Sequence, residues 1–303
     1  MFDRALTDRF ALQVPPPPPV ERMLTGRTAQ EAAALLPRIF NLCREAQGIA
    51  AELALGLPMA PEAETRLAAE IRREHVAKLC LQWPRHLDLP ALALPPGWQA
   101  DARSLALRLF GPSGRAPATS TGLQGFLASE TGLAPLLRAI HNAFAPHEAA
   151  SVALPRATPE RALELDTLEN SVAARHERHP LMRQTESRLG RGPFWRALGR
   201  VLDLDALLAE GAPPFVSLRR GCAVVPAARG TYAIRIALDE AGRVAALTRR
   251  TPTDHLLVPG GVLEQSLTTL PADKAGLAGL VVDILDPCTP LTVRPLAREP
   301  DHA

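Results

Sequence analysis

Through the first two thirds of the chain, apolar residues recur at helical spacing. Leu35, Leu36, Ile39, Phe40, Cys43, Ala46 and Ala50 fall on one stripe, opened by Thr28 as an N-cap with Glu31 three residues on. Pro37 removes a backbone donor inside that run, so the helix must kink or split. A second helix is expected over residues 60–81, with Leu67, Ile71, Val76 and Leu79 inward and Arg72, Arg73 and Glu74 in solvent. A proline-rich loop over 84–100, a short helix over 102–110 and a Gly/Pro/Ser/Thr linker over 111–122 follow. Further helices are predicted over 132–147, 159–179 and 194–208. Leu136, Leu137, Ile140 and Phe144 stack in the first, and Leu163, Leu165, Leu168 and Val172 in the second.

From Pro213 the pattern shortens. Strands are expected over 215–218, 222–225, 231–238 and 243–248, with Asp239-Glu240-Ala241-Gly242 as the turn between the last two. The apolar run Val281–Leu285 then delivers Asp286-Pro287-Cys288. Proline fixes its own φ and steers the residue before it towards extended backbone, so Asp286 and Cys288 should ride on stiff, non-helical chain. Two readings stay open: a terminal strand running into a tail, or a carboxylate and a thiol set to face one point. At the other end, Pro15 to Pro19 predict a polyproline II strut or a proline-motif ligand, closing a lead-in over residues 1–20.

Composition narrows the class. With 303 residues, 47% of them apolar, the chain can bury a substantial core, and 4% aromatics mean a core of Leu, Ala, Val and Ile. A net charge of +2 without a basic block implies no nucleic acid or anionic membrane as partner. No apolar run approaches the roughly 20 residues of a membrane span, and no signal peptide opens the chain. The four cysteines, Cys43, Cys80, Cys222 and Cys288, are far apart, which is not a disulfide framework; a reducing cytoplasm is the expected home. His75 and Cys80 read as structural. His176 and His179 could share one helical face for a metal, but they sit against Pro180 at a predicted helix end, where histidine also complements the dipole.

Several short blocks carry a resemblance. Glu21, Gly26-Arg27 and Arg38-Ile39-Phe40-Asn41-Leu42-Cys43 are followed by Gln47; Ala228-Arg229-Gly230-Thr231-Tyr232 precedes the long hairpin. Thr251-Pro252-Thr253, the segment Pro259–Leu267, and Asp286-Pro287-Cys288 with Leu291 and Arg294 complete the order, with Glu169 to Arg175 as a looser match. In this order they resemble the nickel–iron hydrogenase large subunit, in which Arg-x-Cys-Gly-x-Cys and Asp-Pro-Cys-x-x-Cys supply four thiolates to nickel and to an iron carrying cyanide and carbonyl. Here Phe40 and Leu291 replace one cysteine of each pair.

The resemblance implies a mainly α (α+β) fold: a large-subunit-like helical core over residues 21–294, a small antiparallel β-element in its C-terminal half, and a tail over 295–303. It implies Cys43 and Cys288 as metal positions, with Glu21, Arg229, Gly230 and Asp286 as cofactor-binding positions. The two cysteine blocks should then meet in space, with Arg229 pointing between them. Losing two soft thiolates weakens a bimetallic site severely, so nickel would bind weakly and hydrogen turnover is not expected. A large-subunit relative lacking half its thiolates resembles the HupK-type hydrogenase expression/formation proteins. That implies a non-enzymatic scaffold transiently holding an iron–cyanide/carbonyl fragment, with a maturation chaperone, an iron-delivery scaffold and the hydrogenase large subunit as partners. A metal-free paralogue acting by protein binding, or a divergent enzyme, are the alternatives. In large subunits a tail is cleaved after the final motif; with Leu291 in place of the bridging cysteine and nine residues after Arg294, no processing is expected here. An intact mass ending at Ala303 checks this, and a product ending at Arg294 would overturn it.

Overall fold

The computed structural model describes residues 2–213, 216–219 and 221–296; Phe215 and the tail beyond Leu296, both covered by expectations above, lie outside them. Ahead of the prolines stand two strands rather than a bare lead-in, β1 (Phe2–Ala5) and β2 (Phe10–Val14). Phe10 and Leu12 are fully buried. A short helix α1 (Val20–Leu24) leads to α2 (Ala29–Ile39), opened by a complete capping box between Thr28 and Glu31. The split expected from Pro37 falls at residues 40–43, and α3 (Arg44–Leu55) starts immediately after Cys43. Helix α4 (Ala63–Val76) runs on through a π-helical turn, Ala77–Gln82, into a 3-10 turn, Trp83–Leu87.

Helix α5 (Ala102–Phe110) has the predicted bounds, and α6 (Ser120–Leu127) and α7 (Ala134–Ala143) follow. The helix expected over 159–179 is not formed. One turn closes at Thr158, and the chain then stays irregular until the four-residue α8 (Val172–Arg175). Leu165, placed in the core by the spacing, is 59% exposed. The physical reason is tertiary: Glu169 bridges to Arg156 and its carboxylate pairs with Arg196, which holds this stretch extended. Pro180 likewise begins a helix, α9 (Pro180–Leu189), with His179 as its N-cap, where a helix end was expected.

Helix α10 (Pro193–Glu210) is buried around nearly its whole girth, including Arg196, Arg200, Asp203 and Asp205. A helix wrapped on all sides is the centre of the packing, and its charges must be paired there. Strands β3 (Val216–Arg219), β4 (Cys222–Ala227), β5 (Gly230–Leu238) and β6 (Val244–Arg250) form an antiparallel sheet in sequence order. Gly242 closes the predicted turn at φ +72°. Helices α11 (Pro252–Leu257), α12 (Val262–Thr268) and α13 (Ala278–Leu285) come next. The Val281–Leu285 run is therefore helical, not a terminal strand, and Asp286 ends it in the left-handed region at φ +54° rather than extended. Strand β7 (Thr292–Pro295) closes the chain by pairing with β2, making a second sheet in the order β1-β2-β7.

Candidate functional site

The break between α2 and α3 decides where Cys43 points. Cys43 sits in the left-handed region (φ +54°) at the N-cap of α3 and caps nothing with its own side chain. The free N–H groups of that helix start are met from outside: Glu70 of α4 accepts from Glu45 (2.9 Å) and Ala46 (3.4 Å). Gln47 reaches back to the Leu42 carbonyl at 3.1 Å and pins the loop. The thiol is thus released from structural duty. Burial pushes it up to about 12, against the pull of Arg229.

Arg229 stands in the two-residue link between β4 and β5. Its Nη1 donates to Cys43 Sγ (3.5 Å), its Nη2 donates to Glu74 Oε2 (3.0 Å), and its Nε lies 3.2 Å from Asp286 Oδ1. Burial works against its charge, and Asp286, Cys43 and Glu74 together outweigh burial, so its pKa is raised. Glu74, expected in solvent, belongs to this cluster.

Asp286 is the hub. Arg200 donates to its Oδ2 at 2.8 Å, and Lys78 Nζ lies 3.0 Å from its Oδ1. Burial opposes its charge, but Arg200, Arg229 and Lys78 hold the carboxyl down to about 2. Both oxygens of this carboxylate face cations, and through them it orients the Arg200 and Arg229 guanidinium groups. Two residues on, the half-buried Cys288 thiol receives a hydrogen bond from the Thr253 hydroxyl (3.0 Å), and its backbone N–H donates to the same oxygen (2.7 Å). Burial raises the pKa of the enclosed Tyr232 hydroxyl, and charge on Cys288 or Cys43 pushes it the same way.

Of the positions named from sequence, Cys43, Arg229 and Asp286 are joined by direct contacts, and Cys288 follows Asp286 on the same loop. Glu21 is not brought in; it is exposed in the first turn of α1. Gly230 serves the backbone: a Cβ there would stand 2.6 Å from Asn170. Phe40, in the place of a missing cysteine, lies under the Arg249 guanidinium at 4.6 Å. Leu291, the other, lines a surface pocket with Lys78 and Arg85. His176 and His179 are not a metal pair, since one contacts Asp203 and the other caps α9. No group of three or more His, Cys, Asp or Glu able to hold a metal ion occurs among the described residues. The cluster carries two thiols, both soft donors, and a guanidinium that can only donate hydrogen bonds. Lys78, Arg200 and Asp203 escaped sequence reasoning, since each is a charge whose partners include residues far along the chain; His75, read as structural, lies in the same network.

His75 shows how tightly this network is wired. Its Nε2 donates to Asp203 Oδ2 (2.8 Å), and its Nδ1 faces Arg200 Nη1 at 3.3 Å. Arginine only donates, so Nδ1 must accept and the ring must be neutral. Burial accordingly drives its pKa to about 4 from 6.5. Between those two values the unfolded chain binds the proton and the folded one does not. Stability is therefore complete above pH 6.5 and should fall by about 3 kcal/mol as pH drops to 4. Chemical denaturation of the wild type and of His75→Gln across that window checks this, the variant lacking the one-proton slope.

No family model matches the chain. It is 51% identical to the hydrogenase expression/formation protein HupK of Rhodobacter capsulatus, covering 95% of this chain and 93% of that one. The HupK of Rhizobium leguminosarum bv. viciae is 29% identical over 94% and 92% of the two chains. The hydrogenase expression/formation protein HoxV of Cupriavidus necator shares 48% identity over 73 residues, 22% of this chain and 19% of its own. Among solved structures, the Ni-Fe-Se hydrogenase of D. vulgaris Hildenborough superposes with a TM-score of 0.60 at 12% identity, covering 92% of this chain and 95% of that one. An NAD+-reducing [NiFe]-hydrogenase gives 0.54 at 14% identity, with the same coverage. The large-subunit-like fold expected from the motif order is thus present, and at these identities the likeness concerns fold alone. With half of the aligned residues identical across nearly its whole length, the chain belongs to the HupK family of hydrogenase expression/formation proteins.

Proposed function

We propose that this protein is a scaffold in hydrogenase maturation that transiently holds an iron–cyanide/carbonyl fragment, the cargo, at Cys43 and Cys288. The observation that carries the reading is Arg229, whose guanidinium contacts the Cys43 thiol and the Asp286 carboxylate at once, although Cys43 lies 186 residues away in sequence. Two thiols are soft donors suited to low-valent iron, and a guanidinium can donate hydrogen bonds to an anionic diatomic ligand. Two thiolates hold such a fragment less firmly than four, which suits delivery. The same deficit leaves nickel weakly bound and makes the protein a carrier, not an enzyme. On this reading its partners are a maturation chaperone, an iron-delivery scaffold and the hydrogenase large subunit, met in the cytoplasm. No helix among the described residues is long and apolar enough to cross a membrane.

Infrared spectroscopy of protein purified without oxygen from a hydrogenase-competent host tests the proposal. Cyanide and carbonyl stretches are expected in the wild type, and should vanish when Cys43 and Cys288 are both serine. Protein that supports maturation while showing no such bands at any stage of loading would favour the metal-free paralogue.

A further inference from the structure

We infer that Arg175 is a positioning residue for Arg229, gripping from within the turn that carries that guanidinium. The inference rests on the reading of Arg229 as part of the cargo site. Strands β4 and β5 are joined through Ala228 and Arg229 alone, with Ala227 opposite Gly230 in the register. Two-residue hairpin links match the sheet twist when φ is positive at one or both of their residues, and neither Ala228 nor Arg229 has it. The turn is therefore not set by its own backbone preference, and something else must hold it.

Two side chains do so, Arg175 at the end of α8 and Asn170 just ahead of it. Arg175 Nη2 donates to the carbonyls of both Ala227 and Gly230, the residues flanking the link. Its Nη1 is fixed at 3.1 Å to Asp203, an almost fully buried carboxylate of α10. From the other side Asn170 takes both backbone groups of Thr231, accepting from its N–H at 2.7 Å and donating to its carbonyl at 2.9 Å. Gly230, at φ +149°, is what lets Asn170 come this close. A guanidinium with one nitrogen on two carbonyls and another on a buried carboxylate fixes direction as well as distance. Released, the link would be free to rotate and carry Arg229 off Cys43.

The experiment compares Arg175→Ala, Arg175→Lys, Asn170→Ala, Arg229→Ala and the Arg175→Ala/Arg229→Ala double variant in a host lacking the native gene. Hydrogenase maturation is one readout. The second is mass-spectrometric mapping of iodoacetamide labelling at Cys43, with the fully buried Cys80 as a control for general loosening. Arg175→Ala is expected to lower maturation about tenfold, the scale on which supporting groups act on a metal site. It should quicken labelling of Cys43 and leave Cys80 protected, and the double variant should be no worse than Arg229→Ala. Asn170→Ala should act in the same direction, and Arg175→Lys should recover only part, since an ammonium on the two carbonyls has no second nitrogen to anchor on Asp203. Normal maturation and labelling in Arg175→Ala, or equal exposure of both cysteines in Arg175→Ala and Asn170→Ala, would overturn the inference. A wild-type level of maturation in Arg229→Ala would instead remove the cargo reading of Arg229, while the labelling arm still decides whether Arg175 holds the turn.

Discussion

Replacing Cys43 or Cys288 by serine is expected to reduce hydrogenase maturation by more than the roughly 10–100-fold that loss of a supporting group costs a metal site. Oxygen is a harder donor than sulfur and should hold low-valent iron poorly. Both serines fit their surroundings. At position 43 the hydroxyl can accept from Arg229, and at 288 it can exchange hydrogen bonds with the Thr253 hydroxyl. Packing cost should therefore fall at the low end of the 1–3 kcal/mol typical of a buried hydroxyl, and protein level should hold. Cys80→Ser and Cys222→Ser serve as controls. Cys80 is fully buried, its thiol pushed up to about 12 by burial, and Cys222 faces Arg235 at 3.4 Å away from the cluster. Maturation assayed beside thermal unfolding separates chemistry from folding. Four variants behaving alike would hand the function to a metal-free paralogue.

Asp286→Ala is expected to cost about 3–5 kcal/mol of unfolding free energy, the price of leaving buried charges without their partner. Arg200, Lys78 and Arg229 all converge on this one carboxylate. Alanine also tolerates φ +54° poorly, which adds strain. Asp286→Asn keeps the shape, one accepting oxygen and a residue that tolerates the left-handed backbone, so it should unfold in urea at a higher midpoint than Asp286→Ala. Acid offers an independent check. A carboxyl held down to about 2 contributes stability that is complete above its unfolded value near 4 and is lost as pH falls through 2. Neither variant should show that loss. Variants that unfold with wild-type midpoints would mean that the three cations do not depend on Asp286.

The parts of this molecule written locally were legible. Thr28 and Glu31, the Asp239–Gly242 turn and the bounds of α5 follow from spacing and turn chemistry over a few residues. So does the resemblance that placed Cys43, Arg229 and Asp286 together. Failures came where long-range demands override local pattern. The leucines of 159–179 have helical spacing, yet Glu169 is taken by Arg196 and the helix never forms. His75 meets Asp203 across 128 positions and Lys78 meets Asp283 across 205, and no periodicity records such pairings. The N-terminal hairpin did leave a signal: Phe10, Leu12 and Val14 alternate with Ala11 and Gln13, the period of a strand. The five prolines beside it carry the stronger local signal, that of a strut.

The pairing of β2 with β7 ties the two ends of the chain into one clasp. The loop bearing Cys288 is anchored on one side by α13 and on the other by a strand that Phe10 to Gln13 hold in register. Arg9 adds a stitch to the Leu296 N–H and another to the Thr268 carbonyl. Residues that never touch the cluster around Arg229 thereby set the slack of its thiol-bearing strap. Trimming the first fourteen residues would unfasten that strap at its far end, with Asp286 and its three cations still in place.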